Sequence, residues 1–429
     1  MERARNALAA LRPQHAPDPS LEGAVGVPDV LGEIGAALLT SSQATSDVEQ
    51  TLRRLATRYG REDLRVFVLP TLILIEDHST SPAQTAFFPA YQDTLRLDQA
   101  GAVDQVVRRA VDSRMDPGLV VASIAEIRRT PARFGPALTV LGHALLTVGF
   151  GMVLNPTVTA LPVYIIVGAI VGLIGLVGNR VATLSLILPV VTAFTVTLLI
   201  SVVVRPLVHD DVLRLAAPAL VSFLPGLTLT IAAVELTAGQ VMAGASRLIY
   251  GVARLGLLAF GVYAGITVAG EPPSVTSHPV QLGSWAPWVG ILLVSIGYYF
   301  YSAAPRRSLV WILFALLVAY SAQLLGNTMV GAELSGLVGA VIVIPVVRLA
   351  GRIKAAPSTV IMLTCAYWIL VPGSMGFIGL SEAAAGTAGA GSVLLRTFGS
   401  LLAIAIGMVV GAGLSHDVVV VRSSWRSKT

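Results

Sequence analysis

Apolar runs of about 20 residues fill most of the chain beyond Pro136, and no other feature constrains the fold as tightly. A run of that length crosses bilayer hydrocarbon as a helix. No water is available there, so every backbone N–H and C=O must be bonded within the protein. The runs lie near 136–154, 158–177, 183–204, 211–236 and 247–268. After a polar stretch at 269–284 they resume near 285–303, 308–324, 329–349, 358–379 and 394–415. Charged residues make up only 12% of the 429, against about 25% in a soluble protein. The pattern predicts ten transmembrane helices.

Two of the runs are interrupted in the same way. Pro225-Gly226 breaks ALVSFLPGLT, and Pro372-Gly373 breaks AYWILVPGSM. Proline removes a helix hydrogen bond, glycine lets the backbone leave helical geometry, and the freed groups must find partners in protein or a water-filled cavity. The two prolines are 147 positions apart (372 − 225), and adding 147 to the starts of the first five runs gives 283, 305, 330, 358 and 394, each within about three residues of a second-half start. Five runs per half is an odd number, so a duplicated second half enters the membrane inverted. The basic residues agree, since Arg128, Arg129, Arg133, Arg180, Arg247, Arg306, Arg307, Arg348, Arg352 and Lys354 all fall in loops on one side, and the opposite loops offer chiefly Arg205. This bias puts both termini in the cytoplasm.

The first 135 residues are polar enough to fold outside the membrane. Residues 1–28 lack periodicity and read as a flexible tail. Helical spacing follows at Asp29–Leu39, at a helix opened by a Ser46/Glu49 capping box and running to about Tyr59, at Asp98–Ser113, and at Pro117–Arg129. Leu64–Glu76, β-branched and broken by Pro70, predicts two short strands or one bent strand, and Thr85–Leu97 offers further strands. The expected organisation is therefore a tail (1–28), a cytoplasmic α+β domain (29–135), a first membrane repeat (136–268), an inverted second repeat (285–415) and a cytoplasmic tail (416–429).

Discontinuous helices at matching places in two halves mark a transporter's binding site, with helix N-termini near mid-membrane turned toward anionic groups. The expected substrate-binding residues are Ser222, Pro225, Gly226, Thr228, Thr230, Pro372, Gly373 and Ser374. Ionisable residues in or near the runs are candidates for ion coupling by default: His143, Glu235, Arg254 and Glu333. Each has a plainer reading. Glu235 suits a solvated helix end, Arg254 suits snorkelling or a pair with Glu235, and His143 suits packing. Asp77-His78-Ser79 reads as a turn. Cys365 is the single cysteine, no Gly-Lys-Ser/Thr phosphate loop occurs, and the arginines do not form a nucleic-acid face. No cofactor, metal or nucleic acid is expected. The expected partners are a small polar solute, protons and the lipid bilayer, with further copies of the chain left open.

Three stretches resemble the threonine/serine exporter family. LGEIGAALLTSSQATSDVEQTLRRLATRYG is similar to its opening helix pair, and LPGLTLTIAAVELTAGQVMAGASRL to its fourth-span signature, here Pro225, Gly226, Glu235, Gly239, Gly244 and Arg247. ILVPGSMGF resembles the second-half signature at Pro372 and Gly373, and Ile231-Ala232 is a departure, where more polar residues are expected. The resemblance implies secondary-active, proton-driven export of threonine, serine or similar amino acids across a bacterial inner membrane. The alternatives are a carrier of another small metabolite, such as a dicarboxylate, and a membrane-anchored enzyme or sensor acting through residues 29–135.

Overall fold

The computed structural model describes residues 25–79, 81–90, 94–178, 182–208, 210–270, 280–331, 334–353, 355–370, 399–400 and 402–414. Helices α1 (Val27–Thr40) and α2 (Thr45–Arg58) precede three strands, β1 (Leu64–Leu69), β2 (Leu72–Asp77) and β3 (Gln84–Pro89). The strands form one antiparallel sheet in the order β1-β2-β3, with Val66 opposite Ile75 and Ile75 opposite Ala86. Pro70 lies in the turn, so Leu64–Glu76 makes two strands, and Thr85–Leu97 supplies one strand before the next helix begins. Alternation puts Leu64, Val66, Val68, Ile73 and Ile75 on one buried face. That face packs on α1, where Gly35 sits against Ile73 and Gly32 against Phe88. Helices α3 (Leu97–Ser113) and α4 (Pro117–Arg129, capped by Asp116) complete this core. The Ser46/Glu49 capping box is not formed. Helix α2 starts two residues earlier, with Ala44 as its N-cap, and Glu49 pairs with Arg53 instead.

The apolar helices follow: α5 (Pro136–Leu154), α6 (Leu161–Gly178), α7 (Ala182–Leu199), α8 (Val212–Leu220), α9 (Gly226–Thr237) and α10 (Val241–Ala269). Then come α11 (Ala286–Tyr301), α12 (Leu309–Val330), α13 (Ser335–Ala350), α14 (Thr359–Leu370) and α15 (Leu402–Leu414). A π-helical turn, Ile200–Val204, and a last turn, Arg205–Val208, prolong α7. Among the described residues five helices are long and apolar enough to cross a membrane, or six if α8 with its 3₁₀ turn and α9, bent by 65° at their break, count as one. Four shorter apolar helices, α11, α13, α14 and α15, accompany them.

Two sets of glycine contacts organise the bundle. In the first, α5 and α11 run antiparallel in backbone contact: a Cβ on Gly142 would stand 2.9 Å from the Gly297 carbonyl, and one on Gly149 would stand 2.6 Å from that of Gly290. In the second, Gly261 and Gly265 of α10 lie on Val190, Ala193, Phe194 and Thr197 of α7. Gly407 and Gly411 of α15 lie in the same way on Leu337, Ala340, Val341 and Ile344 of α13. At Gly142, Gly149, Gly261 and Gly407, where an added Cβ would meet backbone within 3.0 Å, no larger residue fits without moving backbone.

Residues 25–129 dock on one end of this bundle, the near end. Leu97 N donates to Ser302 O at 3.2 Å, and Leu97 belongs to the same apolar cluster as Tyr298, Ile361 and Cys365. Arg133 ties the junction by donating to Tyr299 Oη and Ala304 O, both at 2.9 Å.

Candidate functional site

The break at Pro225 shapes the site. Helix α8 ends in a 3₁₀ turn, Val221–Phe223, and α9 starts at Gly226 with Pro225 as its N-cap. The first ladder bond here is Leu229 N to Pro225 O at 2.9 Å, so the N–H groups of Gly226, Leu227 and Thr228 precede the helical ladder. These three residues, with Pro225, line a cavity of about 680 Å³. Helices α5 and α6 contribute Phe150, Leu154 and Gly172, and α11 and α12 contribute Tyr298, Tyr301 and Gln323. Thr364 and Trp368 come from α14, and Ser41, Ser42 and Thr94–Leu97 close the near end. Arg254, midway along α10, completes the wall.

Arg254 stands out chemically. Its Nε is buried with no hydrogen-bond partner, and no carboxylate pairs with it among the described residues. A buried guanidinium N–H without a partner is costly. The expected Arg254–Glu235 pair is not formed. Glu235 is completely buried and pairs with Arg247 at 3.2 Å. The other Glu235 oxygen accepts from Thr45 N at 2.9 Å, at the positive end of α2, while Arg247 Nη2 donates to Gln43 O at 3.2 Å. Glu235 is thus neither solvated nor at the cavity. It locks the broken helix to the sheet-bearing part of the chain.

A second polar group runs behind the break. His143 Nδ1 lies 2.8 Å from Gly168 O, and because a carbonyl only accepts, Nδ1 carries the proton of the neutral ring. Nε2 then accepts from Ser222 Oγ at 2.9 Å, and Ser222 in turn is bonded to the Tyr301 hydroxyl. The Tyr301 ring packs edge-on against His143, and its hydroxyl lies near Arg254. The chain Tyr301–Ser222–His143–Gly168 therefore has one direction when His143 is neutral and the reverse between His143 and Ser222 when it is charged.

The break thus gathers Ser222, Pro225, Gly226, Thr228, His143 and Arg254. Thr230 stands apart: it is fully buried, and its hydroxyl donates to Gly226 O at 3.0 Å, re-satisfying a helix carbonyl rather than facing the cavity. Pro372, Gly373, Ser374 and Glu333 lie outside the described residues, although α14 leads to within two residues of Pro372 and lines the cavity up to Leu370. Tyr301 escaped the sequence reading because a tyrosine ending an apolar run looks like an interfacial anchor. Asp77 accepts from Ser79 and Arg61, which hold it down at about 2, as in a turn.

A bundle of apolar helices, five or six of them among the described residues long enough to cross a membrane and one bent at its break, defines a multi-pass membrane protein. Residues 29–269 match the ThrE family model, described as "Putative threonine/serine exporter", and the chain belongs to that family. The match covers the sheet-bearing part and the first apolar helices through α10. No curated protein and no solved structure matches the chain.

Proposed function

We propose that the chain is a secondary-active exporter of threonine and serine, with its substrate site in the cavity at the Pro225 break. One observation carries this reading: Arg254, unpaired among the described residues, and the open N-terminus of α9 share one cavity. A carboxylate suits both. The Tyr301 oxygen, donating to Ser222, keeps acceptor capacity for an ammonium or hydroxyl group, and Thr228 adds a further hydroxyl.

The transport reading is alternating access in a ten-span, inverted-repeat core in a bacterial inner membrane, with residues 29–135 and both termini cytoplasmic. The glycine contacts support the repeat. The α7 partners of α10 and the α13 partners of α15 stand 147 apart (337 − 190, 344 − 197), and their glycines 146 apart (407 − 261, 411 − 265). On α5 and α11, Gly142 and Gly290 stand 148 apart, as do Gly149 and Gly297 (290 − 142, 297 − 149). Each helix therefore presents the same pair to the other, as an antiparallel two-fold relation requires.

The test is counterflow with the purified chain in liposomes against a panel of threonine, serine, other small amino acids and a dicarboxylate. Threonine and serine should exchange, and Arg254→Gln should weaken their apparent affinity about tenfold or more, as expected for losing a charge-assisted hydrogen bond. Exchange of the dicarboxylate alone, or unchanged affinity in the variant, would overturn the assignment.

A further inference from the structure

The cavity at the break has a floor built from the sheet-bearing part of the chain. Residues 41–42 and 94–97, with Ala100, line it. The two lining segments act as one piece, because Leu95 N donates to Thr40 O at 3.0 Å. Ser42, just past the end of α1, takes a left-handed backbone (φ 61°), a conformation that L side chains keep only where the surroundings demand it. Along α5 the lining runs from Thr139, in the first turn, to Leu154, the last residue, about 22 Å at 1.5 Å per residue. The cavity therefore reaches from the break to the near end, and the floor stands across its mouth.

Different forces hold this floor on its two sides. On one side the α1–α2 connection meets α9 and α10. Thr45 N donates to the buried Glu235 at 2.9 Å, and Gln43 O accepts from Arg247, the ion-pair partner of Glu235. Pulling away there would strip a buried carboxylate and its guanidinium of those partners. On the other side the contact with α14 is apolar. A Cβ on Gly101 of α3 would stand 2.9 Å from Ile361 Cδ1, and Leu97 shares a cluster with Ile361 and Cys365. The backbone bond beside it, Leu97 N to Ser302 O at 3.2 Å, joins groups that water in an opened mouth can satisfy. Asp47 of α2 lies within electrostatic reach of Arg348 on α13, but both are exposed and water screens them. The Leu97–Gly101–Ile361 seam is thus the side that parts more easily.

We propose that residues 25–129 are the near-side gate of the transport path: they stay with α9 and α10, and part from α14 along the seam to admit substrate to the break. This rests on the exporter reading above and gives the sheet-bearing part its role within it. Alternating access requires a cavity that opens to one side at a time, and here the floor shuts the near side. Because Glu235 ties the floor to α9, the gate moves with the broken helix. Opening the mouth and reshaping the site at the start of α9 are then one event.

The test cross-links the seam. Gly101→Cys with Ile361→Cys, in a Cys365→Ala background, sets two thiols where the added Cβ and the isoleucine meet, and the shorter side chain at 361 makes the room. Thr228→Cys on the cavity wall reports access, through labelling by an impermeant maleimide in sealed vesicles whose near end faces outward. Rates are read at the peptide containing residue 228 and normalised to Thr228→Cys alone after the same oxidant. Disulfide formation should slow labelling about tenfold or more and stop threonine counterflow, and reduction should restore both. In a second variant without the disulfide, Leu97→Ala, the seam is weaker and labelling should quicken about tenfold. Labelling as fast in the cross-linked form as in the reduced one, or no faster in Leu97→Ala, would overturn the gate. Labelling does not require threonine as substrate, so cross-link-sensitive labelling without threonine exchange would count against the exporter reading alone.

Discussion

At the residue scale the structure separates two cations that the sequence leaves equivalent. Arg247 and Arg254 lie seven residues apart on α10, on nearly the same face, and either could reach Glu235. The fold decides, because α2 brings Thr45 N and Gln43 O to the Glu235–Arg247 pair and leaves Arg254 on the cavity. Removing one member of a buried pair strands the other, so Glu235→Ala should lower stability by about 3–5 kcal/mol. Thermal unfolding in detergent measures this, and trypsin should then cleave within residues 25–129 sooner. A variant as stable as the parent would show that the pair holds nothing together. Ser222 was legible only as a polar residue beside a break. Its bonds to His143 and Tyr301 join three helices distant in sequence.

At the element scale the break itself was readable, because Pro-Gly inside an apolar run permits few structures. The 65° bend between α8 and α9 is its consequence. The sheet was readable in part: Pro70 marks the turn between β1 and β2, but the true start of α2 was not, since a carboxylate 190 residues away takes its first N–H. The glycines of α5 and α11 read as small residues in apolar helices, with nothing to say which ones touch. Gly149→Leu would drive its side chain into Gly290 O and Val294 N, both 2.6 Å from the added Cβ, and overpacking of this kind costs about 1–3 kcal/mol or more. Gly256→Ala, on α10 with open space around it, should be neutral or gain about 0.5–1 kcal/mol from the lower backbone entropy of the unfolded chain. Paired melting curves of the two variants test the contrast, and equal effects would contradict the packing described.

For the whole molecule, the expected topology has a direct consequence. In the Cys365→Ala background, Val280→Cys at the far end should react with an impermeant thiol reagent from outside intact cells. Arg307→Cys, exposed at the near end beside residues 25–129, should react only after the membrane is opened. Labelling of both from the same side would reject the inverted arrangement.

Length, hydropathy and punctuation were enough to determine that this chain enters a membrane many times and breaks a helix at Pro225, because the bilayer admits so few backbone solutions. They also favoured a duplicated core, since a period of 147 is visible in one dimension. What they left open was the pairing of charges. Glu235 with Arg247, Arg254 at the cavity with no carboxylate partner among the described residues, and Asp210 clamped by Asn155 and Thr157 are outcomes of three-dimensional proximity. Electrostatic partners are chosen by distance and burial, and neither is written in the order of residues along the chain.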